Sequence, residues 1–574
     1  MLRIRRLGRV PYEEALAVQR ALAQRAGDDY LLLLEHPHVY TLGVRADPAH
    51  VLVDPSSVGA SLVDTDRGGD VTYHGPGQLV VYPIVTLGGH PGAAPEHAQR
   101  LERVVIDALG DLGVADVGLL DGYPGIWLGV ADGRPRKVGA VGIRAQRMGD
   151  GRRRTTHGLA LNVDCDLAMF GHIVPCGIAD LPVTSLAAEG LGLSMEAVIS
   201  AVTARALAQW GDGGADRQAV SVPTAEDCPT AAVRGEPVVV ERPLLRRLRQ
   251  AGVAPEDGLA VNTRKPEWLR VPARMGTEYR QLGRTIHDLG LVTVCEEAGC
   301  PNIYECWADG TATFMVNGSR CTRACGFCLV DTRHPLPLDP GEPDRVAEAV
   351  DRMRLAHAVV TCVARDDLAD GGAGAMAETV LAIRARRPAT SVEVLISDCK
   401  GDGASLSRIF DARPDVLNHN IETVARLQRA VRPSAGYARS LSVLARAADA
   451  GLVVKSGLMV GLGEDEGEVV ATLADLRAVG VSIATIGQYL RPSADHLPVA
   501  RWWTPDDLDR LGAAGRAMGF AHVESSPLTR SSYHAKGAAN AAGVGAGGVA
   551  PAAAGSVAAT AAVPVVLSRM GRSS

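Results

Sequence analysis

Long apolar runs and an excess of basic charge are both missing from this chain. No stretch reaches the roughly 18 apolar residues that a membrane-spanning helix needs, and no apolar segment follows the basic residues 1–6, as one would in a secretory signal. The formal net charge is -6, so electrostatics give no reason to expect a nucleic-acid partner. We therefore expect a cytoplasmic protein that binds neither nucleic acid nor a membrane.

The spacing of a structural zinc site, with four Cys or His ligands in Cys-x2-Cys pairs, is missing as well. Six of the eleven cysteines nevertheless form two runs: Cys295-x4-Cys300-x5-Cys306 and Cys321-x3-Cys325-x2-Cys328. Thiolates are soft ligands that select iron–sulfur clusters or zinc, and three thiolates from one loop can hold three corners of a cubane. The second run would leave the fourth iron open to a small chelating molecule. We interpret both runs as cluster sites, with zinc as the alternative, and clustered thiols require a reducing compartment.

The chain is too long for a single hydrophobic core, and its composition divides it. Residues 211–240 gather Gly, Asp, Pro and Thr, as a linker does. Beyond about residue 537 the sequence becomes rich in Ala, Gly and Val and too poor in large apolar groups to fold. We therefore predict a domain over 1–210, a linker over 211–240, a domain over 241–536 and a disordered tail over 537–574.

Both predicted domains belong to the α/β class. In the first, strands are spaced irregularly among helices, which predicts a mixed α/β sheet. In the second, apolar runs alternate with amphipathic helices, and such βα units predict a parallel sheet in a full or partial TIM-like barrel. The predicted strands are 30–34, 78–85, 137–143 and 159–163 in the first domain and 359–363, 391–397, 416–420, 453–460 and 484–489 in the second.

Cys176 lies between a proline and a glycine, in a turn that would expose its thiol. A nucleophilic cysteine needs a neighbouring cation or base, and Lys137, at the mouth of a glycine-rich strand, is the candidate. We expect the two to form a base–nucleophile pair. A buried structural cysteine and a surface lysine are the alternative interpretation of these two positions.

Four segments of the first domain occur in one order: RGGDVTYHGPGQ from residue 67, KVGAVGIR from 137, HGLALNV from 157 and the turn at Cys176. Together they resemble the octanoyl-(acyl-carrier-protein):protein N-octanoyltransferases of lipoate biosynthesis. The resemblance implies a fold of the biotin/lipoate protein ligase type and acyl transfer through a thioester on Cys176, activated by Lys137. Octanoyl would pass from octanoyl-acyl carrier protein to a lysine on lipoyl domains of 2-oxoacid dehydrogenase complexes and on the glycine cleavage H protein.

The same resemblance implies a set of substrate-contacting residues: Arg67, Gly68, Gly69, Asp70, Val71, Thr72, Tyr73, His74, Ala140, Val141, Gly142, Gly158, Leu159 and Ala160. Glycines suit such a slot, because backbone without side chains can line a narrow channel for a straight acyl chain. His74 is a further candidate to orient or polarise the substrate. The basic residues Arg3, Arg5, Arg6, Arg9 and 152–154 are either solvated or dock an acidic carrier protein.

From residue 264 to about 535 the second domain resembles lipoyl synthase, a radical S-adenosylmethionine enzyme. Besides both cysteine runs, the matching segments are RDDL from 365, NIET from 420, VRP from 431, SGLMVGLGE from 456, GQYL from 487 and RSSYHA from 530. The resemblance implies one 4Fe-4S cluster on Cys321, Cys325 and Cys328 that binds S-adenosyl-L-methionine. A second 4Fe-4S cluster would lie on Cys295, Cys300, Cys306 and Ser532 and act as the sulfur source, and an electron donor such as ferredoxin or flavodoxin would be needed. Arg432 and the SGLMVGLGE segment are candidate contacts for S-adenosylmethionine.

The two resemblances predict a bifunctional enzyme that attaches octanoyl to a lipoyl domain and then inserts two sulfurs at C6 and C8. One alternative is an ATP-dependent lipoate ligase-like domain fused to another radical enzyme, although such a ligase needs no acyl-accepting cysteine. A second alternative is an electron-transfer or iron-storage module, although ferredoxins use four cysteines per cluster and each run here supplies three.

Overall fold

A computed structural model describes residues 1–178, 180–221, 242–270, 276–297, 299–308 and 312–544. The described residues form two compact units, divided between Ala219 and Val220. Within these ranges, no helix combines the length and the apolar character that crossing a membrane requires.

The first unit contains a mixed sheet whose strands run in the order β12-β1-β2-β6-β11-β10-β9-β8, while β7 pairs with β11. A small second sheet has the order β4-β3-β5. The strands of the first unit are β1 (Leu2–Arg9), β2 (Asp29–Glu35), β3 (Val39–Leu42), β4 (Ser61–Asp64), β5 (Thr72–His74), β6 (Gln78–Ile84), β7 (Thr86–Leu87), β8 (Val117–Leu120), β9 (Tyr123–Leu128), β10 (Arg136–Arg147), β11 (Arg153–Asn162) and β12 (Ala215–Ala219). Its helices are α1 (Tyr12–Arg25), α2 (Ala93–Asp111) and α3 (Met195–Trp210).

The core of this unit lies between the large sheet and the helices α2 and α3. Helix α2 buries Leu101, Val105 and Leu109, which recur every four residues and so share one face, against strand residues such as Leu79 and Val81. Parallel pairs (β1 with β2 and with β12) and antiparallel pairs (β10 with β11) occur in one sheet. The predicted mixed α/β sheet is therefore confirmed.

The basic residues near the start of the chain make ion pairs within this unit. Arg3 pairs with Asp28 at 2.7 Å and, together with Arg5, with Asp216 on β12, while Arg6 pairs with Glu196. Arg152 pairs with Asp150, and the buried Arg154 donates to the carbonyl oxygens of residues 28 and 84. Acidic or carbonyl partners within this unit therefore already occupy these arginines, which leaves less positive charge for the alternative of docking an acidic carrier protein.

The second unit contains one sheet in sequence order, from β13 to β20, in which β14 to β20 are all parallel. The strands are β13 (Val292–Thr293), β14 (Thr313–Val316), β15 (His357–Cys362), β16 (Ser391–Leu395), β17 (Val416–Asn418), β18 (Val453–Val460), β19 (Ile483–Gln488) and β20 (His522–Ser525). The helices are α4 (Pro243–Gln250), α5 (Thr277–Asp288), α6 (Val294–Glu297), α7 (Ile303–Ala308), α8 (Glu342–Arg352), α9 (Ala373–Arg386), α10 (Gly403–Asp411), α11 (Gln428–Val431), α12 (Tyr437–Asp449), α13 (Glu466–Ala478), α14 (Pro505–Ala517) and α15 (Ala535–Ala541). This is the predicted partial TIM-like barrel.

A buried charged pair spans the middle of the parallel sheet. Lys455 on β18 donates to Glu393 on β16 at 2.8 Å, across the intervening β17, and both side chains are fully buried. Burial alone would raise the pKa of Glu393, but Lys455 and His357 together outweigh burial and lower the pKa overall. The pair holds together strands that are not direct neighbours.

Two boundaries differ from the sequence-based prediction. Residues 215–219, placed in the linker, form β12 and pair with β1, because Asp216 finds two arginine partners there. Residues 537–544, placed in the disordered tail, belong to α15 and its end, where Ala538 and Ala539 pack against Val416 and Ile483. The rest of the predicted linker, 222–240, and of the predicted tail, 545–574, lies outside the described residues.

Candidate functional site

Lys137 and Cys176 meet in the first unit. Lys137 Nζ donates to Cys176 Sγ at 3.5 Å, and the lysine side chain lies 5.5 Å from the centre of the Trp127 ring. Cys176 adopts the left-handed conformation, with φ +56°, in a short turn, and its amide donates to the Val71 carbonyl at 2.9 Å. Such strain in a non-glycine residue is typical of functional sites. The structure thus brings together the two residues expected to form a base–nucleophile pair.

Glycines make room for the lysine stem. A Cβ atom at Gly125 would lie 2.5 Å from the Gly139 carbonyl oxygen and 2.8 Å from Lys137 Cε, and Gly125 has φ +120°. Either contact would displace the lysine or its strand. The backbone of Lys137 is held as well, since its amide donates to the Pro182 carbonyl at 2.8 Å.

A cavity of about 520 Å³ opens beside this pair. The predicted substrate-contacting residues that line it are Arg67, Gly68, Gly69, Asp70, Thr72, His74, Ala140, Val141, Gly142, Gly158, Leu159 and Ala160. A Cβ atom at Gly158 would lie 2.0 Å from the Val81 carbonyl, and one at Gly142 would lie 2.9 Å from the Gly68 carbonyl. Glycine is therefore required where the cavity wall passes close to a neighbouring strand.

Val71 and Tyr73 do not line the cavity, in contrast to the prediction. Both are fully buried in a separate apolar cluster with Met169 and Phe170. Successive side chains of an extended chain point to opposite faces, so residues 70, 72 and 74 face the cavity while 71 and 73 face the core. A contiguous motif therefore included two packing residues.

Several residues that line the cavity are absent from the predicted set of substrate contacts, although His157 begins one of the matching segments. They are Tyr12, Arg45, Tyr82, Gly122, Tyr123, Pro124, His157 and Ile178. Tyr12 begins α1 and Tyr82 lies on β6, and neither carries a chemical pattern that marks it in the sequence. Lys137 did carry one further signal, because it is the first lysine of the chain and the next is Lys265.

Hydrogen bonds fix the polar groups of this cavity. Arg67 donates to the Thr41 carbonyl at 2.5 Å, which aligns the glycine segment after it. His74 contacts Gln78 Oε1 through Nδ1 at 2.8 Å, and burial lowers its pKa well below the usual value. A lowered pKa makes the imidazole a weak base, so His74 is better suited to orienting a substrate than to abstracting a proton.

In the second unit, Cys321, Cys325 and Cys328 lie on the loop that follows β14. Backbone bonds hold this loop: the Cys321 amide donates to the Asp331 carbonyl at 2.8 Å, and the Gly326 amide donates to the Val431 carbonyl at 2.9 Å. Burial, with repulsion from the neighbouring thiolates, raises the pKa of Cys325 to about 12 and that of Cys328 to about 11. The three thiols therefore lie within one another's electrostatic field.

These thiols have the ligand chemistry of an iron–sulfur site. All three are free cysteines on one loop. In a cubane each thiolate binds a different iron, so the sulfurs need not converge on one point. The donor set therefore matches the cluster that the spacing predicts.

Polar groups from the next strand ends border this loop. Arg432 donates to the Asn420 carbonyl at 2.9 Å, and Asn420 Nδ2 donates to the buried Glu422 at 3.1 Å. Burial dominates the pKa of Glu422 and raises it, although the Arg432 charge opposes that effect. Asn420 Oδ1 is buried and lacks a hydrogen-bond partner among the described residues. The loop is thus bordered by a carboxyl group and by an amide oxygen that has no partner among the described residues.

The first cysteine run, Cys295, Cys300 and Cys306, lies on a loop that contacts residues 528–533. Asn302, between Cys300 and Cys306, donates to the Leu528 carbonyl at 2.7 Å. Tyr533 donates to Glu305 at 3.2 Å, and the Arg530 guanidinium lies within the field of Cys300. Residues 528–533, which include Ser532, therefore lie against a loop more than two hundred residues earlier. Burial raises the pKa of the third thiol, Cys295, to about 11.

Comparisons with known proteins match each of the two units to a different family. Residues 11–206 match the family model of the lipoyl protein ligase A/B catalytic domain, and residues 315–476 match that of the radical SAM superfamily. The chain is 56% identical over 273 residues to lipoyl synthase of Rubrobacter xylanophilus, covering 47% of this chain and 85% of that protein. It is 54% identical over 272 residues to lipoyl synthase of Mycobacterium avium, covering 47% and 89%. A solved bipartite lipoate protein ligase from Thermoplasma acidophilum has 18% identity and a TM-score of 0.32, covering 39% of this chain and 88% of that one.

Fold, sites and comparisons define a fusion enzyme with a lipoyl ligase/transferase-type catalytic domain and a radical SAM domain. Through its second unit the chain belongs to the lipoyl synthase family. It is an enzyme of lipoate biosynthesis with transferase and sulfurtransferase activities, and its family implies S-adenosylmethionine and 4Fe-4S chemistry.

Buried histidines behind the cavity make the stability of the first unit depend on pH. His36 Nδ1 donates to the Val10 carbonyl at 2.7 Å, which leaves Nε2 to accept from Tyr82 at 2.9 Å. Burial lowers the pKa of His36 from 6.5 to about 4. The unfolded chain takes up this proton as the pH falls below 6.5, whereas the folded protein does not until about pH 4, so stability falls over this interval.

We predict that acidification from pH 6.5 to 4 lowers the free energy of unfolding of this unit by about 3 kcal/mol through His36. The variant His36→Gln should lose that part of the pH dependence. Hydrogen exchange of the β2 and β6 amides measures the opening free energy of this unit alone. His90→Gln, at an exposed position, is the matched control, and equal pH slopes in His36→Gln and the parent would contradict the prediction.

Proposed function

We propose that the first unit transfers octanoyl from octanoyl-acyl carrier protein to a lysine of a lipoyl domain, and that the second unit then inserts sulfur at C6 and C8. The 3.5 Å contact between Lys137 Nζ and Cys176 Sγ, beside a cavity walled by glycines, is the observation that carries the first part. The spacing of two cysteine triads within a unit that is similar to lipoyl synthase supports the second.

The transfer has two steps. Lys137 takes the thiol proton, Cys176 Sγ attacks the thioester carbonyl, and the carrier thiol leaves with a proton. A lysine amine of the lipoyl domain then attacks the Cys176 thioester, which forms the amide and returns the thiol. A ligase that activates its acid with ATP needs no acyl-accepting cysteine, so the Cys176 geometry favours the carrier-bound donor. Suitable acceptors are lipoyl domains of 2-oxoacid dehydrogenase complexes and the glycine cleavage H protein.

In the second unit, Cys321, Cys325 and Cys328 would hold a 4Fe-4S cluster through three irons. When bound, that cluster and S-adenosylmethionine supply a radical strong enough to remove hydrogen from an unactivated carbon. Arg432, Asn420 and Glu422 would bind the polar end of S-adenosylmethionine beside the loop. A reduced ferredoxin or flavodoxin is the proposed electron donor, and the cytoplasm is the proposed compartment.

The second cluster is a substrate that donates sulfur. Cys295, Cys300 and Cys306 would hold it, and the approach of residues 528–533 supports Ser532 as the remaining ligand. An alkoxide oxygen is a harder ligand than a thiolate and suits an iron that must leave when sulfide is withdrawn. Two C–H bonds of the octanoyl chain are replaced by C–S bonds, and two molecules of S-adenosylmethionine are consumed.

The transfer half is tested with octanoyl-acyl carrier protein and a lipoyl domain. Cys176→Ser should abolish octanoylation while sulfur insertion into a pre-octanoylated domain continues. Lys137→Ala should lower transfer by about 10²–10⁴-fold, because the thiol then has no base within reach. Mass spectrometry of the lipoyl domain measures both. Cys165→Ala, which changes a thiol in the apolar core, is the control, and near-normal transfer by Cys176→Ser would refute the thioester route.

The cluster assignments are tested by iron content and by formation of 5′-deoxyadenosine. The reconstituted parent should contain about eight irons per chain, and alanine at either cysteine triad should leave about four. Alanine at 321, 325 and 328 should end 5′-deoxyadenosine formation, whereas alanine at 295, 300 and 306 should preserve it without sulfur insertion. Cys362→Ala and Cys399→Ala serve as controls, and equal loss of cleavage in both triple variants would refute the division of roles.

Ser532→Ala should suppress dithiol formation and preserve 5′-deoxyadenosine formation, because only the sulfur-donating cluster loses a ligand. Ser531→Ala is the matched control, since it changes the same side chain one residue away. Mass spectrometry of the octanoylated domain after a single turnover measures the product. Normal lipoyl formation by Ser532→Ala with failure of Ser531→Ala would move the role to Ser531.

A further inference from the structure

A buried ion cluster holds the middle of the loop that carries the second cysteine run. Arg323 lies between Cys321 and Cys325, and only 8% of it is exposed. Its Nε and Nη2 donate to the two carboxylate oxygens of Asp366 at 2.7 and 2.9 Å, and Nη2 also donates to Asp398 Oδ1 at 2.6 Å. A planar guanidinium can make this forked contact, whereas a lysine ammonium cannot.

The two carboxylates tie the loop to two neighbouring strands. Asp366 follows β15 and Asp398 follows β16, and these strands pair in parallel, so their carboxyl ends share one edge. Thr322 adds backbone contacts, because its amide donates to the Ala364 carbonyl at 3.0 Å and its hydroxyl accepts from the Asp366 amide at 3.0 Å. The spacer between the first two cysteines is thus fixed by side-chain and backbone bonds together.

Arg323 also contacts a cysteine sulfur directly. Its backbone amide donates to Cys321 Sγ at 3.4 Å. Hydrogen bonds to ligand sulfurs are one means by which proteins orient and tune iron–sulfur clusters. One residue therefore orients the sulfur through its backbone and anchors the loop through its side chain.

Stability alone does not account for this arrangement. Buried ion clusters rarely stabilise a fold more than apolar residues of the same volume, because each charge loses its hydration. Asp398 is fully buried, and its Oδ2 has no hydrogen-bond partner within the described part of the chain. Loss of Arg323 would leave that carboxylate without its cation, so the carboxylates and the guanidinium depend on one another.

We propose that Arg323 is a positioning residue for the iron–sulfur site: its guanidinium, held by Asp366 and Asp398, keeps Cys321 and Cys325 in the arrangement that ligates the cluster. This inference rests on the proposed assignment of the second cysteine run to that cluster.

The test uses the full chain with Cys295, Cys300 and Cys306 replaced by alanine, so that one cluster remains. Arg323→Gln in this parent should accelerate iron loss to a chelator by about 10- to 100-fold, the range typical for residues that orient metal ligands. It should also alter the electron paramagnetic resonance spectrum of the reduced cluster. Arg323→Lys retains the positive charge but cannot make the forked contact, so its rate of iron loss should lie between those of the parent and Arg323→Gln.

A second substitution separates positioning from folding. Adding Asp398→Asn to Arg323→Gln removes the uncompensated carboxylate, so the thermal unfolding temperature should return toward that of the parent while iron loss stays fast. If the unfolding temperature and the slow rate of iron loss both returned to the parental values, Arg323 would serve folding only, and the proposal would be overturned. Iron loss at the parental rate in Arg323→Gln would overturn it as well.

Arg365 provides a matched control at the same strand end. It is also buried, with 2% exposed, makes a forked contact with Asp367 at 2.9 and 2.9 Å, and lies outside the cysteine loop. Arg365→Gln should lower the unfolding temperature and leave iron loss slow, and rapid iron loss in this variant too would contradict a specific role for Arg323. Retention of iron after alanine replaces Cys321, Cys325 and Cys328 would instead refute the cluster assignment.

Discussion

Lys137 and Cys176 come from segments 39 residues apart, and the bond between them depends on a sheet that admits a buried lysine. An ammonium group loses hydration on burial, so it needs partners in the protein. The Cys176 sulfur is one and the Trp127 ring is another, through a cation–π contact. The stem fits only because Gly125 has no side chain. Once the lysine is fixed, the left-handed turn at Cys176 can present its sulfur to the cavity.

The second unit must also hold its cysteine loop in place, and it does so through the ends of its parallel strands. Parallel strands bring their carboxyl ends to one edge, so residues that follow β15, β16 and β17 can all reach the loop after β14. Asp366 and Asp398 hold that loop through Arg323, and Arg432 fixes the next segment by donating to the Asn420 carbonyl. Charge-assisted bonds at the strand ends hold the site residues of the second unit in place, whereas glycine and close packing hold those of the first unit.

Much of this could be predicted from the sequence, because chemistry with strict spacing leaves a local pattern. Both cysteine runs and the turn at Cys176 are such patterns, and the strands of the barrel are apolar runs. The side chains of Val71 and Tyr73 face the apolar core and not the cavity, because a motif is contiguous, whereas an extended chain alternates its faces. The pairing of β12 with β1 and the packing of α15 depend on distant partners, Arg3 and Val416 among them, which no local pattern shows.

The two units control their sulfur atoms in opposite ways. Cys176 is partly exposed and lies beside a lysine, as a nucleophile that must lose its proton at each turnover requires. In the second unit, Cys295 is buried and the other cysteines of the two runs are partly exposed, but desolvation still raises the pKa of Cys295 and Cys328 to about 11 and that of Cys325 to about 12. A thiol must lose its proton before it ligates iron, so cluster assembly would release protons from these three residues. Cluster insertion would therefore depend on pH through the ligands themselves, whereas the proposed acyl-transfer cysteine relies on the neighbouring lysine at every cycle.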